Sequence, residues 1–313
     1  MQKTIKKMAY WTCFGMFLIL IMGALVTKTE SGQGCGDDWP LCNGKFLPAY
    51  TISSFIEYSH RLVVGVVTLL LLATTVLVIM KIKRKDSLFF ALGAVFFTLI
   101  QAVMGAFAVV WPQSSSVLAL HFGLSLLAFA LTLLLALSFT KWGEYGASAK
   151  DVNAENQLLQ PQDSSSQKAF RGLVWFTTIY TYAIVYLGAF VRHTESSGGC
   201  SGWPLCNGEF VPELSGATGV VFVHRVGALL LFICIIVLFL FARKRYSEFD
   251  RRYQGSKWTL FFVILQVISG AIVTWSIGNE LFYLLAGMFH AVIIACLFGF
   301  LSYLCVLTQY DKS

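Results

Sequence analysis

The sequence predicts an all-α integral membrane protein with eight transmembrane helices, arranged as two pseudo-two-fold-related four-helix bundles. Three observations lead there. Apolar residues make up 57% of the chain and charged residues only 12%, too little polar surface for a soluble domain of this length. The apolar residues gather into runs of roughly 20, the length that crosses a bilayer. And the chain repeats itself: GALVTKTESGQGCGDDWPLCNGKFLP at 23–48 returns as GAFVRHTESSGGCSGWPLCNGEFVP at 188–212, so one structural unit is present twice.

The runs lie near 9–27, 61–80, 88–111, 117–140, 170–191, 220–242, 258–276 and 281–307, four to each copy. They are too long and too uniformly apolar for barrel strands, and helices satisfy their own backbone in lipid. The first run has the basic flank and apolar core of a signal peptide. Its counterpart at 170–191 sits mid-chain, however, where no such cleavage makes sense, so the first span is expected to be retained. Between the copies lies a polar, Ser/Gln-rich joint. The expected organisation is an N-terminal bundle over 1–145, a cytoplasmic linker over 146–169 and a C-terminal bundle over 170–313.

Charge sets the orientation. Lys3, Lys6 and Lys7, the cluster from Lys81 to Lys85, and the cluster from Arg243 to Lys257 join Lys141, Lys150, Lys168, Arg171 and Lys312 on one side, 18 of the 23 basic residues. The positive-inside rule makes that side cytoplasmic, with both termini inside and the cysteine-bearing loops outside. The net charge of +7 is thus a topology signal. It is not a nucleic-acid footprint, because the basic residues are short juxtamembrane clusters with no reading module. Four spans per copy bring both halves in and out on the same side, which makes them parallel repeats about an axis along the membrane normal.

Of the eight cysteines, Cys13, Cys234, Cys296 and Cys305 lie in apolar spans and behave as small hydrophobes. Cys35/Cys42 and Cys200/Cys206 occupy matching places in the outer loops, where disulfides persist. Zinc is the weaker reading, since it asks for four ligands and each loop offers two thiols. Each pair is either a staple or a redox-active disulfide. The staple is favoured for the second pair, and the two readings are even for the first.

Four of the five histidines are repeat-matched. His60 corresponds to His224, at the outer ends of the second and sixth spans, and His121 to His290, in the outer halves of the fourth and eighth. A lone histidine in a membrane helix is usually a hydrogen-bonded packing residue. Two per bundle, in both bundles, instead suit axial ligation of haem iron between facing helices. Arg61 and Arg225 each follow one of these histidines and diverge from it by about 100°. They would meet a haem propionate or snorkel to the headgroups.

These motifs reach a family. With the repeated Cys-loop motif, IEYSHR at 56–61, LIQAVMGA at 99–106, LHF at 120–122 and the second-half histidines, the chain resembles haem A synthase in its short bacterial form across essentially its whole length. The resemblance implies eight helices, a haem b cofactor, and oxidation of a haem O methyl group to a formyl in two successive hydroxylations. It also implies that His60, His121, His224 and His290 are the family's four histidines. A haem O synthase that hands over the substrate is a further implied partner.

The copies differ at Glu57, whose repeat partner is Val221. Glu57 lies three residues before His60 and so shares its helix face. A carboxylate at that place is a functional candidate by default, whereas a helix cap would be expected in both copies. The asymmetry assigns the substrate haem and the chemistry to the N-terminal bundle, with His60 and His121 on the substrate iron and Glu57 in proton handling or charge stabilisation. Haem b falls to His224 and His290 in the C-terminal bundle. Thr29-Glu30-Ser31, Thr194-Glu195-Ser196, Gln101 and Gln266 are symmetric and read as loop folding and interhelical bonding. Lys28 against His193 is a second asymmetry without an assigned role. The competing functions are a non-catalytic dihaem cytochrome in quinol-linked electron transfer and a thiol–disulfide oxidoreductase. The electron donor and the oligomeric state, a homo-oligomer included, stay open at this level.

Overall fold

The computed structural model describes residues 2–37, 41–46, 50–111, 113–143 and 164–309. Trp39-Pro40 of the first loop motif, Lys150, Lys312 and most of the joint between the halves lie outside them. Among the described residues, eight helices are long and apolar enough to cross a membrane. They are α1 (Gln2–Lys28), α2 (Ile52–Lys81), α3 (Lys85–Val110), α4 (Ser115–Leu137), α5 (Ser164–His193), α6 (Gly216–Arg245), α7 (Arg251–Trp275) and α8 (Glu280–Gln309). At 1.5 Å per residue they run about 35–45 Å.

Several helices begin earlier than the apolar runs do, because a helix continues wherever its first turn is capped. Thr51 Oγ1 accepts from the Ser54 amide at 3.2 Å and starts α2 well before the apolar residues do. The Asp250 carboxylate accepts from the Arg252 amide at 2.7 Å and does the same for α7. His60 and His224 sit about two turns inside their helices rather than at the ends. Likewise α5 begins at Ser164, so the last residues of the expected linker are helical.

Helix α1 packs on α2, α2 on α3, α3 on α4, and α4 returns to α1; α5 through α8 close in the same order. The two sets meet where α4 lies against α5 and α8, and where α1 touches α8. Helices α4 and α8 are accordingly the most enclosed, through Leu126, Leu135, Leu297, Leu301 and Leu304. Close approach depends on small and hydroxyl side chains, as expected where lipid provides no hydrophobic drive between helices. Thr12 of α1 meets Thr74 of α2 at 3.0 Å between hydroxyls. Leu69, Phe89, Ile179 and Leu240 face outward from the helices, an apolar surface suited to lipid.

The Lys-rich end is fastened by Arg84, which donates to the Ser138 and Gly143 carbonyls, both at 2.7 Å, and pairs with Asp86. At the opposite end the two Cys loops fold alike. Glu30 and Glu195 both take left-handed backbone with φ of 53° and 54°. Beside them, the Thr29–Ser31 and Thr194–Ser196 hydroxyl pairs are both 2.8 Å apart.

Gly15 of α1 leaves no room for a larger side chain, since a Cβ there would lie 2.6 Å from Val67 Cγ2 on α2. Gly15→Leu is expected to cost about 1–3 kcal/mol by overpacking. It should lower the melting temperature of the purified protein, while Leu at outward-facing positions such as Ile79 leaves it unchanged.

Candidate functional site

Glu57 sits one turn before His60 on α2 and is only 3% exposed. One carboxylate oxygen accepts from the Cys35 amide at 2.8 Å, and the other accepts from Arg61 Nη2 at 2.5 Å. Arg61 also donates to the Leu41 carbonyl at 2.8 Å. The Ser54 hydroxyl donates to the Gly34 carbonyl on the same loop. The Cys35–Cys42 disulfide closes this loop, so α2 grips the ring from both sides. Breaking such a buried pair by removing one partner costs about 3–5 kcal/mol.

The second half solves the same docking problem without a carboxylate. Val221 stands in the place of Glu57 and packs with Cys200 and Cys206 in a small buried cluster; these two cysteines form the second disulfide. Arg225 donates instead to the carbonyls of Gly202 at 2.9 Å, Leu205 at 3.2 Å and Cys200 at 3.3 Å, and to Thr274 Oγ1 at 3.2 Å. Both arginines considered for propionate contact are therefore engaged with their loops. Among the described residues no three His, Cys, Asp or Glu side chains converge as a bare metal ion requires, and both loop pairs are disulfides. That disfavours zinc.

The four histidines share one local arrangement. Each ring lies against a glycine of the preceding helix: His60 on Gly23, His121 on Gly105, His224 on Gly188 and His290 on Gly270. A Cβ added to these glycines would lie 3.5, 3.6, 2.8 and 3.4 Å from the respective ring. Within each half the two histidines are electrostatic neighbours, His60 with His121 and His224 with His290. Nδ1 of His60 and of His224 is buried without a hydrogen-bond partner, which leaves a ring nitrogen in each half open to a ligand.

His290 is held more firmly. Ser269 Oγ donates to the Gln266 carbonyl at 3.0 Å, so toward His290 Nδ1, 2.7 Å away, it accepts. The Gln266 amide nitrogen lies 2.9 Å from Nε2, so both ring nitrogens are engaged within the protein, and Gln266 would have to turn aside for Nε2 to bind iron. In the first half Gln101 reaches the His121 carbonyl instead, at 2.8 Å, and accepts from Ser125 Oγ at 2.9 Å. Both glutamines do form interhelical bonds, but only Gln266 touches an imidazole. The paired imidazoles, their glycine beds and the unpartnered nitrogens fit a haem in each half.

Sequence reasoning passed over the glycine beds, although each recurs in the repeat. It also left the Lys28/His193 asymmetry unassigned, and both residues lie in the seam between the halves. The Lys28 ammonium lies 5.1 Å from the centre of the Tyr283 ring and against Gly287 of α8. The His193 carbonyl accepts from Ser115 Oγ of α4 at 2.7 Å. Next to them Arg192 donates to the Thr27 carbonyl at 3.0 Å.

A family model described as cytochrome oxidase assembly protein, COX15-CtaA, matches residues 6–302. The chain is 39% identical over 298 residues to the heme A synthase of Symbiobacterium thermophilum, covering 94% of this chain and 92% of that one. It is 40% identical over 314 residues to the heme A synthase of Bacillus pumilus, covering 100% and 97%. It is 35% identical over 319 residues to that of Halalkalibacterium halodurans, covering 100% of both.

The glycine beds differ in tolerance, which gives a test. Gly188→Ala drives a methyl into the His224 ring and is expected to halve the haem bound per chain, measured from the absorbance of purified protein. Gly23→Ala, at an ordinary 3.5 Å contact, should leave haem content unchanged.

Proposed function

The chain belongs to the COX15-CtaA family, the haem A synthases that convert haem O to haem A, and we propose that it divides this oxidation between two parallel four-helix bundles. Helices α1–α4 would form the N-terminal bundle over 1–145 and hold haem O between His60 and His121. Helices α5–α8 would form the C-terminal bundle over 170–313, related to the first by a pseudo-two-fold axis along the membrane normal, and hold haem b between His224 and His290. The closed packing order within each set of four supports this reading, as does the recurrence of histidine on glycine at four repeat-matched places. The basic clusters favour a cytoplasmic Lys-rich end with both termini inside, and the disulfides favour Cys loops facing out.

The observation that carries the division is Glu57. It is a buried carboxylate within one turn of His60, and the second half has Val221 in its place. Haem b, when bound, supplies one-electron transfer. The protein's own task is placement and charge. His60 and His121 fix the substrate iron, and the glycine beds set how far each ring projects. Converting a methyl group to a formyl by two hydroxylations releases protons at carbon and at oxygen. A carboxylate has lone pairs beyond the two already used by Cys35 and Arg61, so Glu57 can take up such a proton or offset positive charge developing nearby. Arg61 holds it in position while doing so. Each hydroxylation takes two electrons from the carbon, the resulting geminal diol loses water to give the formyl, and the electrons pass to an external oxidant. Haem O is poorly soluble, and transfer within the membrane from a haem O synthase suits it.

Glu57→Gln tests the assignment through chromatography of the haems extracted from the purified protein. Haem O or its hydroxylated intermediate should accumulate, with turnover down by about 10²–10⁴-fold, as for loss of a general acid–base group, and with haem b still bound. Ser54→Ala is the control, since it loosens the same loop and spares the carboxylate; it should retain most turnover. Undiminished haem A from Glu57→Gln would remove the catalytic role.

A further inference from the structure

The ends of α1 and α5 bring basic side chains into the seam between the halves. Lys28 closes α1, and its ammonium lies against Gly287 of α8 and 5.1 Å from the centre of the Tyr283 ring. Gly287 and Tyr283 precede His290 by three and seven residues, spacings that share its face of α8. They stand about 5 and 10 Å nearer the Cys-loop end, at 1.5 Å per residue. The Lys28 ammonium and the His290 imidazole are electrostatic neighbours. A side chain of the first half thus reaches the histidine face of the second.

Positive charge there is poorly balanced. Arg192 of α5 is the electrostatic neighbour of Lys28, and its Nε is buried without a hydrogen-bond partner. The carboxylate facing Arg192 is that of Glu30, 3.7 Å from Nη2 and 77% exposed. Among the described residues Lys28 pairs with no carboxylate. Two half-buried cations side by side repel each other and lose hydration, a cost that an anion between them offsets. A basic residue in a last turn also meets the helix dipole, and Arg192 does so at the Thr27 carbonyl of α1. Lys28 instead extends across to α8.

A haem brings such anions, since its two propionates are carboxylates and favour the polar Cys-loop end over the membrane interior. Arg61 and Arg225 stand beside the histidines but are engaged with loop carbonyls. We propose that Lys28, with the Arg192 charge beside it, binds a propionate of the haem held between His224 and His290, so that the first half completes the cofactor site of the second. The inference rests on the placing of haem b in the second bundle. The repeat gives the contact a direction. His193, the counterpart of Lys28, is an electrostatic neighbour of His121 and so crosses the seam the other way. It brings an imidazole, mostly uncharged at neutral pH, where Lys28 brings an ammonium.

The test uses full-length protein carrying His60→Ala and His121→Ala in lipid nanodiscs, which leaves only the second pair of histidines. It is titrated at the Soret band with haem b and with haem b dimethyl ester, in which both carboxylates are uncharged. Adding Lys28→Met, which keeps the length of the side chain and removes its charge, should weaken haem b binding about tenfold or more, as loss of a charge-assisted hydrogen bond does. Binding of the ester should stay within about twofold. An equal loss of both ligands would trace the effect to packing of the seam and overturn the inference. Unchanged haem b affinity would overturn it as well, and a fall in bound anionic phospholipid would then give the ammonium to a lipid headgroup. If the protein with Lys28 intact binds no haem b, the placing of haem b in the second bundle is contradicted, and the inference falls with it.

Discussion

An imidazole seated on a bare glycine of the preceding helix is the contact on which the site depends. In lipid, helices are drawn together by packing and interhelical hydrogen bonds rather than by expulsion of water. A buried histidine is costly there unless something uses its nitrogens. Glycine resolves the steric side by letting the ring lie almost against the next backbone, so that one helix carries the imidazole and its neighbour sets the depth. The arrangement occurs at His60, His121, His224 and His290. It links the spacing of α1 with α2, α3 with α4, α5 with α6, and α7 with α8 directly to the position of an imidazole.

On that shared frame the halves diverge by a few substitutions, each with a physical consequence. Glu57 gives the first half a buried carboxylate that docks the Cys35–Cys42 ring through the Cys35 amide and Arg61. Val221 docks the second ring by apolar contact, and Arg225 turns to loop carbonyls. Ser269 and Gln266 hold both nitrogens of His290, whereas Gln101 stops at the backbone of His121. The second half is thus the more constrained around its histidine, and the first keeps a looser shell.

Much of this was legible in the sequence. Eight apolar runs became eight helices, and the repeat picked out the four histidines and the Glu57/Val221 difference. Helix ends were less legible, because hydropathy reports transfer into lipid while a capped helix runs on through polar residues. Thr51 carries α2 back well before His60, and α5 starts at Ser164 within the expected linker. The glycine beds were hidden for another reason. Gly23, Gly105, Gly188 and Gly270 were plain in the repeat, but their meaning lies in which helix faces which. The same holds for Lys28 and His193, whose seam position follows from the contact of α1 with α8 and of α4 with α5.

The central claim is that one duplicated unit supplies two haem sites with separate duties. It is tested most directly by extracting and separating the haems carried by His60→Ala and His224→Ala proteins purified from cells that make haem O. The account predicts that His60→Ala keeps haem b and loses haem O and haem A, while His224→Ala loses haem b and still binds haem O. Loss of the same haem from both variants would contradict it.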